Sequence, residues 1–166
     1  MAIAGLPSTQ SLKKKFFGNI PIGIHRPNPM HNPFEGTWKL IEWVAELPDG
    51  NHVFPFGKEA VGRLMYTRQR HMSVQIMKLD RFHFRTDNIL QGEAREMQEA
   101  YKSFIGYAGT YELSPDEDRI THHILLSSYP NWVGRDQVRD YAFVDGRLHL
   151  HAYLQSGKHR LTWEKV

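Results

Sequence analysis

The chain has 166 residues, 40% of them apolar and 23% charged, enough for one globular domain with its own core and too apolar for a disordered chain. Its formal charge is +3, and the Lys and Arg are scattered apart from Lys13–Lys15 and the Arg68/Arg70 pair, so there is no basic stripe of the kind a nucleic acid needs. Cysteine is absent, which excludes disulfides and thiolate zinc sites.

Residues 1–34 read as an irregular N-terminal extension or arm. Pro7, Pro21, Pro27, Pro29 and Pro33 break any long element, while Phe16, Phe17, Ile20, Ile22 and Ile24 could pack as an arm or a short strand. No apolar stretch has the length of a signal core or a membrane span, so a soluble cytoplasmic protein is expected, with no membrane partner.

From residue 35 the pattern becomes that of strands. Gly36–Leu47 is branched and aromatic, Pro48-Asp49-Gly50-Asn51 is a turn, and His52–Gly57 is a short extended piece interrupted by Pro55. Val61–Thr67 and His71–Lys78 flank a tight turn at Arg68–Arg70. The spacing predicts one helix over about residues 92–105, with Met97, Ala100, Tyr101 and Phe104 as its apolar stripe and Gly106 just past its end; it could lie as a plug or lid on one end of a barrel. Strands resume at Tyr107–Leu113, Arg119–Ser127, Gln137–Val144, Arg147–Leu154 and His159–Val166, with Asp145-Gly146 a strong hairpin signal. Eight or nine short strands at even spacing make an antiparallel meander that closes as a barrel or a sandwich.

Several short motifs, in this order and spacing, resemble the lipocalin-like domain family over about residues 35–166. They are Gly36-Thr37-Trp38, Phe54-Pro55-Phe56-Gly57, Val61-Gly62 to Tyr66-Thr67, Met72-Ser73, Tyr107 through Tyr111, Thr121-His122-His123, Pro130-Asn131-Trp132 and Gln137-Val138-Arg139. The resemblance implies an all-β, calycin-type up-and-down barrel of 8–10 strands around a cavity. It also implies that a last-strand arginine, here Arg160, packs over Trp38. The helix and the N-terminal arm depart from the simple lipocalin pattern.

Alternation assigns faces: residues i and i+2 of a strand point the same way. His122 goes with Ile120, Ile124 and Leu126, and His123 with Thr121, Leu125 and Ser127, so one histidine faces inward. The polar company of His123 favours His123. Arg139 shares its inward face with Tyr141 and Phe143 and needs either a carboxylate such as Glu42 or Glu112 or an anionic ligand. Tyr66 is an inward phenol; Tyr107 and Tyr111 share one face; Asn131 and Trp132 stand on the loop that would close the mouth. His149 and His151 form a His-x-His on what reads as the solvated outer face, and no metal or other cofactor is expected. Ser127 lies about 13 Å along the strand from His123, too far for a hydrolase triad.

Two functions follow. The first is a cofactor-independent cyclase or isomerase acting on an apolar, oxygenated polyketide- or terpenoid-like molecule. In it His123, Tyr66 and Arg139 are catalytic, and Tyr107, Tyr111, Asn131, Trp132, Tyr141 and Trp38 bind substrate. The second is a non-catalytic carrier of a hydrophobic ligand in the same cavity. A homodimer is possible under either.

Overall fold

The computed structural model describes residues 32–166, and Phe34–Val166 forms one compact unit. The expectations for Phe16, Phe17 and the isoleucines of the arm lie outside the described residues. In chain order the elements are β1 (Gly36–Glu46), β2 (His52–Val53), β3 (Val61–Tyr66), β4 (His71–Met77), α1 (Ala94–Lys102), β5 (Phe104–Leu113) and β6 (Arg119–Ser127). A 3-10 turn (Pro130–Trp132), β7 (Asp136–Val144), β8 (Arg147–Leu154) and β9 (Gly157–Lys165) follow.

The strands pair antiparallel with their sequence neighbours from β3 round to β9. β1 pairs with both β3 and β9, and β2 adds onto the end of β1. Eight strands therefore close on themselves as an up-and-down barrel, which leaves no free edge along the wall. The turns have the chemistry this needs. Asp145 (φ 50°) and Gly146 (φ 74°) both take the left-handed region, which matches a two-residue hairpin to the strand twist. Arg70 (φ 67°) ends the turn between β3 and β4 in the same way, with the Arg70 amide donating to the Thr67 carbonyl.

Two bulges break the alternation. In β1 the register steps from Leu40 opposite Trp163 to Glu42 opposite Thr162, so Ile41 is the extra residue. In β6 it steps across Leu125, between Ile124 opposite Gly109 and Leu126 opposite Ala108. Gly109 sits where the second bulge brings chains together: a Cβ there would stand 1.9 Å from the His123 carbonyl oxygen.

The helix is shorter than its pattern suggests. Phe104, Ile105 and Gly106 belong to β5, and Met97 and Tyr101 of the expected stripe are 48% and 52% exposed. The buried residue of α1 is Glu96, whose carboxylate accepts from the backbone amides of Glu93 and Arg85 in a capping box. Local capping therefore outweighs the apolar stripe in setting how this helix rolls.

The core lies at the end of the barrel away from α1. Phe34 is a ring plug there, edge-on to Tyr66, Tyr141 and Phe143, and its carbonyl accepts the Trp38 indole N–H at 2.8 Å. The cation over Trp38 is Lys165, with Nζ 5.3 Å from the ring centroid; Arg160, the residue implied by resemblance, points outward to Glu42 at 2.7 Å. The β9 alternation explains this, since Trp163 faces inward and Arg160 is three residues away from it.

Phe34→Ala should destabilise the barrel by about 3–5 kcal/mol, because the ring is fully buried and its neighbours belong to different strands; urea unfolding measures this. Gly109→Ala should cost up to about 3 kcal/mol through backbone displacement at the bulge, against a near-neutral result at an unconstrained strand glycine.

Candidate functional site

The inward positions at the core end are closed: Leu64, Tyr66, Ile120, His122, Leu148 and Trp163 are each no more than 2% exposed. At the α1 end the inward side chains of Trp43, Ile105, Tyr107, Ser127, Gln137 and Leu161 are only half-buried. Trp43, Ile105, Tyr107 and Leu161 pack against the core cluster, so this end is largely aromatic and aliphatic with a few polar groups. Phe56 packs edge-on against Trp43 at 5.0 Å, and Trp132 of the 3-10 turn packs edge-on against Tyr107 at 5.4 Å.

A polar cluster lies on the inner wall between these halves. The Tyr66 hydroxyl and His122 Nε2 are 2.7 Å apart. His122 is opposite Gln137 in the β6–β7 ladder, and Arg139, two residues on, also faces in and is 7% exposed. The Arg139 guanidinium donates to the Val138 carbonyl at 2.8 Å and to Gln137 Oε1 at 3.3 Å, and it lies against the Tyr107 hydroxyl. No carboxylate among the described residues pairs with it, and residues 1–31 contain no Asp or Glu. Glu42 is held outside by Arg160, and Glu112 lies outside beside His123.

His123 is thus on the outer face, opposite to expectation. Its Nδ1 is 2.7 Å from Asp136 and its Nε2 3.6 Å from Glu112, and it lines an external recess of about 420 Å³ with Arg70, Thr110 and Leu113. The face that takes the histidine inward is the apolar one, Ile120–His122–Ile124, whose members are all buried. Burial was the stronger signal, and polar company the misleading one.

Electrostatics follow position. Burial, then the Arg139 charge and His123, hold His122 down at about 3, so it is neutral at any ordinary pH. Burial pushes Tyr66 well above the usual phenol range, and raises Tyr107 as well. His123 is raised by its hydrogen bond to Asp136. On the outer face of β8, burial and then His149 lower His151 to about 4, and His149 hydrogen-bonds Thr162 at 3.2 Å. Among the described residues no group of three or more His, Cys, Asp or Glu is placed to hold a metal ion, and no helix is long and apolar enough to cross a membrane.

Of the residues singled out from the sequence, the fold brings together Tyr66, Tyr107 and Arg139, with Tyr141 on the same inner face. Tyr111 joins them by ring contact with Tyr66, but its hydroxyl is committed to the Thr67 carbonyl. Trp38 is core at the far end. Asn131 is exposed and bonds to the Tyr129 hydroxyl, while Trp132 turns toward Tyr107. Sequence reasoning missed His122 and Gln137 on the inner wall. It also missed Trp43 and His159, whose side chains bond to each other at 3.0 Å; the bulge at Ile41 turns Trp43 inward and carries no sequence mark.

A family model described as a lipocalin-like domain matches residues 35–166. The chain belongs to the lipocalin-like domain family. One relative of this lipocalin-like chain is the 4'-hydroxy-3'-methoxypropiophenone carrier protein ppsC of Aspergillus oryzae (strain ATCC 42149 / RIB 40). It is 29% identical over 107 residues, which cover 57% of this chain and 96% of the relative. Among solved structures, the wild-type fluorescent protein UnaG aligns over 80% of this chain and 97% of its own at 11% identity and a TM-score of 0.38. The REP1-NXSQ fatty acid transporter aligns over 80% of this chain and 95% of its own at 9% identity and a TM-score of 0.38.

A pH prediction follows from His122 and His151. Both have folded values below the free imidazole value near 6.5, so their contribution is full above that pH and is lost as pH falls toward 3–4. Between those limits each should lower stability by about 1.4 kcal/mol per pH unit. His123 runs the other way but is exposed and contributes little. Urea unfolding from pH 7 to 4 should show the fall, and His122→Gln, which cannot titrate in this range, should reduce its slope by about half, leaving the His151 part.

Proposed function

We propose that the barrel binds a small aromatic, oxygen-bearing molecule and carries it unchanged. The observation that carries this reading is Arg139, a guanidinium on the inner wall beside Tyr107 and Gln137 with no carboxylate among the described residues to neutralise it. Buried charge is normally paired, and a ligand oxygen would complete the site. The half-buried rings of Trp43, Phe56, Tyr107 and Trp132 fit the flat body of such a ligand. The relative named as a carrier of an aryl ketone lends the same support.

A second reading is the cofactor-independent isomerase or cyclase, favoured by the Tyr66–His122 hydrogen bond inside the barrel. Proton transfer works best when the catalytic group titrates near the working pH. His122, held at about 3, is a weak base, and Tyr66, pushed up by burial, is a weak acid. The carrier reading therefore takes precedence.

Titration with 4'-hydroxy-3'-methoxypropiophenone, followed by tryptophan fluorescence, tests both. Saturable binding should occur, Trp132→Ala should weaken it about five- to tenfold, and the ketone should be recovered unaltered. Incubation in D₂O separates the readings: deuterium appearing at the ketone α-carbon faster than in buffer would replace the carrier with an enolising enzyme.

A further inference from the structure

We propose that the barrel takes its ligand as an anion: the ionised form of a weak acid, a phenolate, enolate or carboxylate on an apolar body. The inference rests on the carrier reading and specifies the chemistry of the group that the inner wall receives.

The hydrogen bonds of the inner wall leave donors without acceptors. Among the described residues two buried side-chain atoms have no partner, His122 Nδ1 and Trp163 Nε1. The indole N–H can only donate. For His122 the tautomer follows from its other nitrogen. If the Tyr66 hydroxyl donates to Nε2, the proton of the neutral ring sits on Nδ1 and both atoms of the short contact are satisfied. The reverse arrangement would strand the Tyr66 hydroxyl proton as well, so Nδ1 is a donor.

Each of the wall's acceptors already receives one donor. Gln137 Oε1 receives Arg139, Ser127 Oγ receives the Tyr129 amide, and His159 Nδ1 receives the Trp43 indole, leaving His159 Nε2–H for Ser156. Tyr107, accepting from Arg139, keeps its hydroxyl proton to give. Among the described residues no Asp or Glu occupies an inward strand position beside this cluster. What faces the ligand is therefore one formal positive charge and a set of donors. A neutral phenol or alcohol would bring one more donor to a wall short of acceptors, whereas an oxyanion brings only acceptors.

His122, Tyr107 and Arg139 form one neighbourhood: the Tyr107 and His122 rings are 6.1 Å apart, and Arg139 lies diagonal to His122 across β6–β7. Trp163 belongs to the closed core end and is not assigned to the ligand. Ionisation on binding breaks the ligand O–H bond and releases the proton to bulk water, since neither neutral His122 nor Tyr66 is a competent acceptor.

The test uses the 166-residue chain and three probes of similar size. They are 4-nitrophenol, whose visible band reports its ionisation directly, 4-nitrobenzoate, and the neutral 4-nitroanisole. The expected result is growth of the nitrophenolate band when protein is added at a pH below the probe's own pKa, with nitrophenolate or nitrobenzoate bound at least about tenfold more tightly than nitroanisole. Arg139→Met should abolish that preference, the anions losing at least about tenfold and falling to the level of nitroanisole. The two anions separate the ligand sources: preference for nitrophenolate points to phenols and enols, for nitrobenzoate to carboxylic acids. If nitroanisole binds as tightly as the anions, or nitrophenol binds in its protonated form, the inference is overturned and the carrier reading stands. If the preference survives Arg139→Met, the inference is likewise overturned. If none of the three binds, both fall together. The spectral measurement on the unaltered chain needs no variant, so it decides the matter even where Arg139→Met does not fold.

Discussion

The pairing of β1 with β9 closes the barrel, and its single irregularity at Ile41 governs what the interior contains. Before the bulge Trp38 and Leu40 face inward; after it Trp43 and Ala45 do, opposite Leu161 and His159. In an unbroken strand the inward set would run Trp38, Leu40, Glu42, Val44. Glu42 would then project into the barrel, as a candidate partner for Arg139, and Trp43 would be wasted on solvent. One extra residue expels the carboxylate to the outer face, where it meets Arg160, and brings an indole in over His159. The unpaired charge of the inner wall is thus a consequence of strand register.

That charge is expensive to maintain. Arg139 recovers part of its lost hydration from the Val138 carbonyl, Gln137 and the Tyr107 hydroxyl, all neutral dipoles. The same positive field helps to keep His122 neutral, second only to burial. A wall in this condition is less stable than one carrying an ion pair or a hydrophobe. A complementary ligand would relieve the deficit, and the free energy withheld from folding would become available to binding.

Strands and turns were legible in the sequence because their causes are local. Alternation along β4 and β8 puts Met72, Val74, Ile76 and Leu148, Leu150, Ala152 inside without exception, and Asp145-Gly146 has a backbone geometry few other pairs adopt. The site was legible in part. Arg139 and Tyr66 follow from simple alternation, and so would His122 if its two isoleucine neighbours outweighed the polar neighbours of His123. Three features escaped the alternation and the apolar stripe. The bulges at Ile41 and Leu125 are set by how two strands must fit around a closed circuit. The roll of α1 is set by a carboxylate, Glu96, turned back onto its own N-terminus instead of by the Met97–Tyr101 stripe.

The position of the histidine also bears on what kind of protein a barrel of this sort can be. Catalysis requires interactions stronger in the transition state than in the ground state, and an acid or base contributes only if its proton is free to move. His123, the histidine raised by carboxylates, stands outside the barrel with Asp136 and Glu112. His122 stands inside, desolvated, beside a cation and tied to Tyr66. The fold therefore puts its titrating imidazole where no interior ligand reaches it and its non-titrating one where the ligand would lie. Fixed donors around a guanidinium grip a settled charge as firmly as a developing one, which lowers the energy of a bound anion without lowering a barrier. A wall built this way fits the proposed carrier better than the proposed isomerase or cyclase.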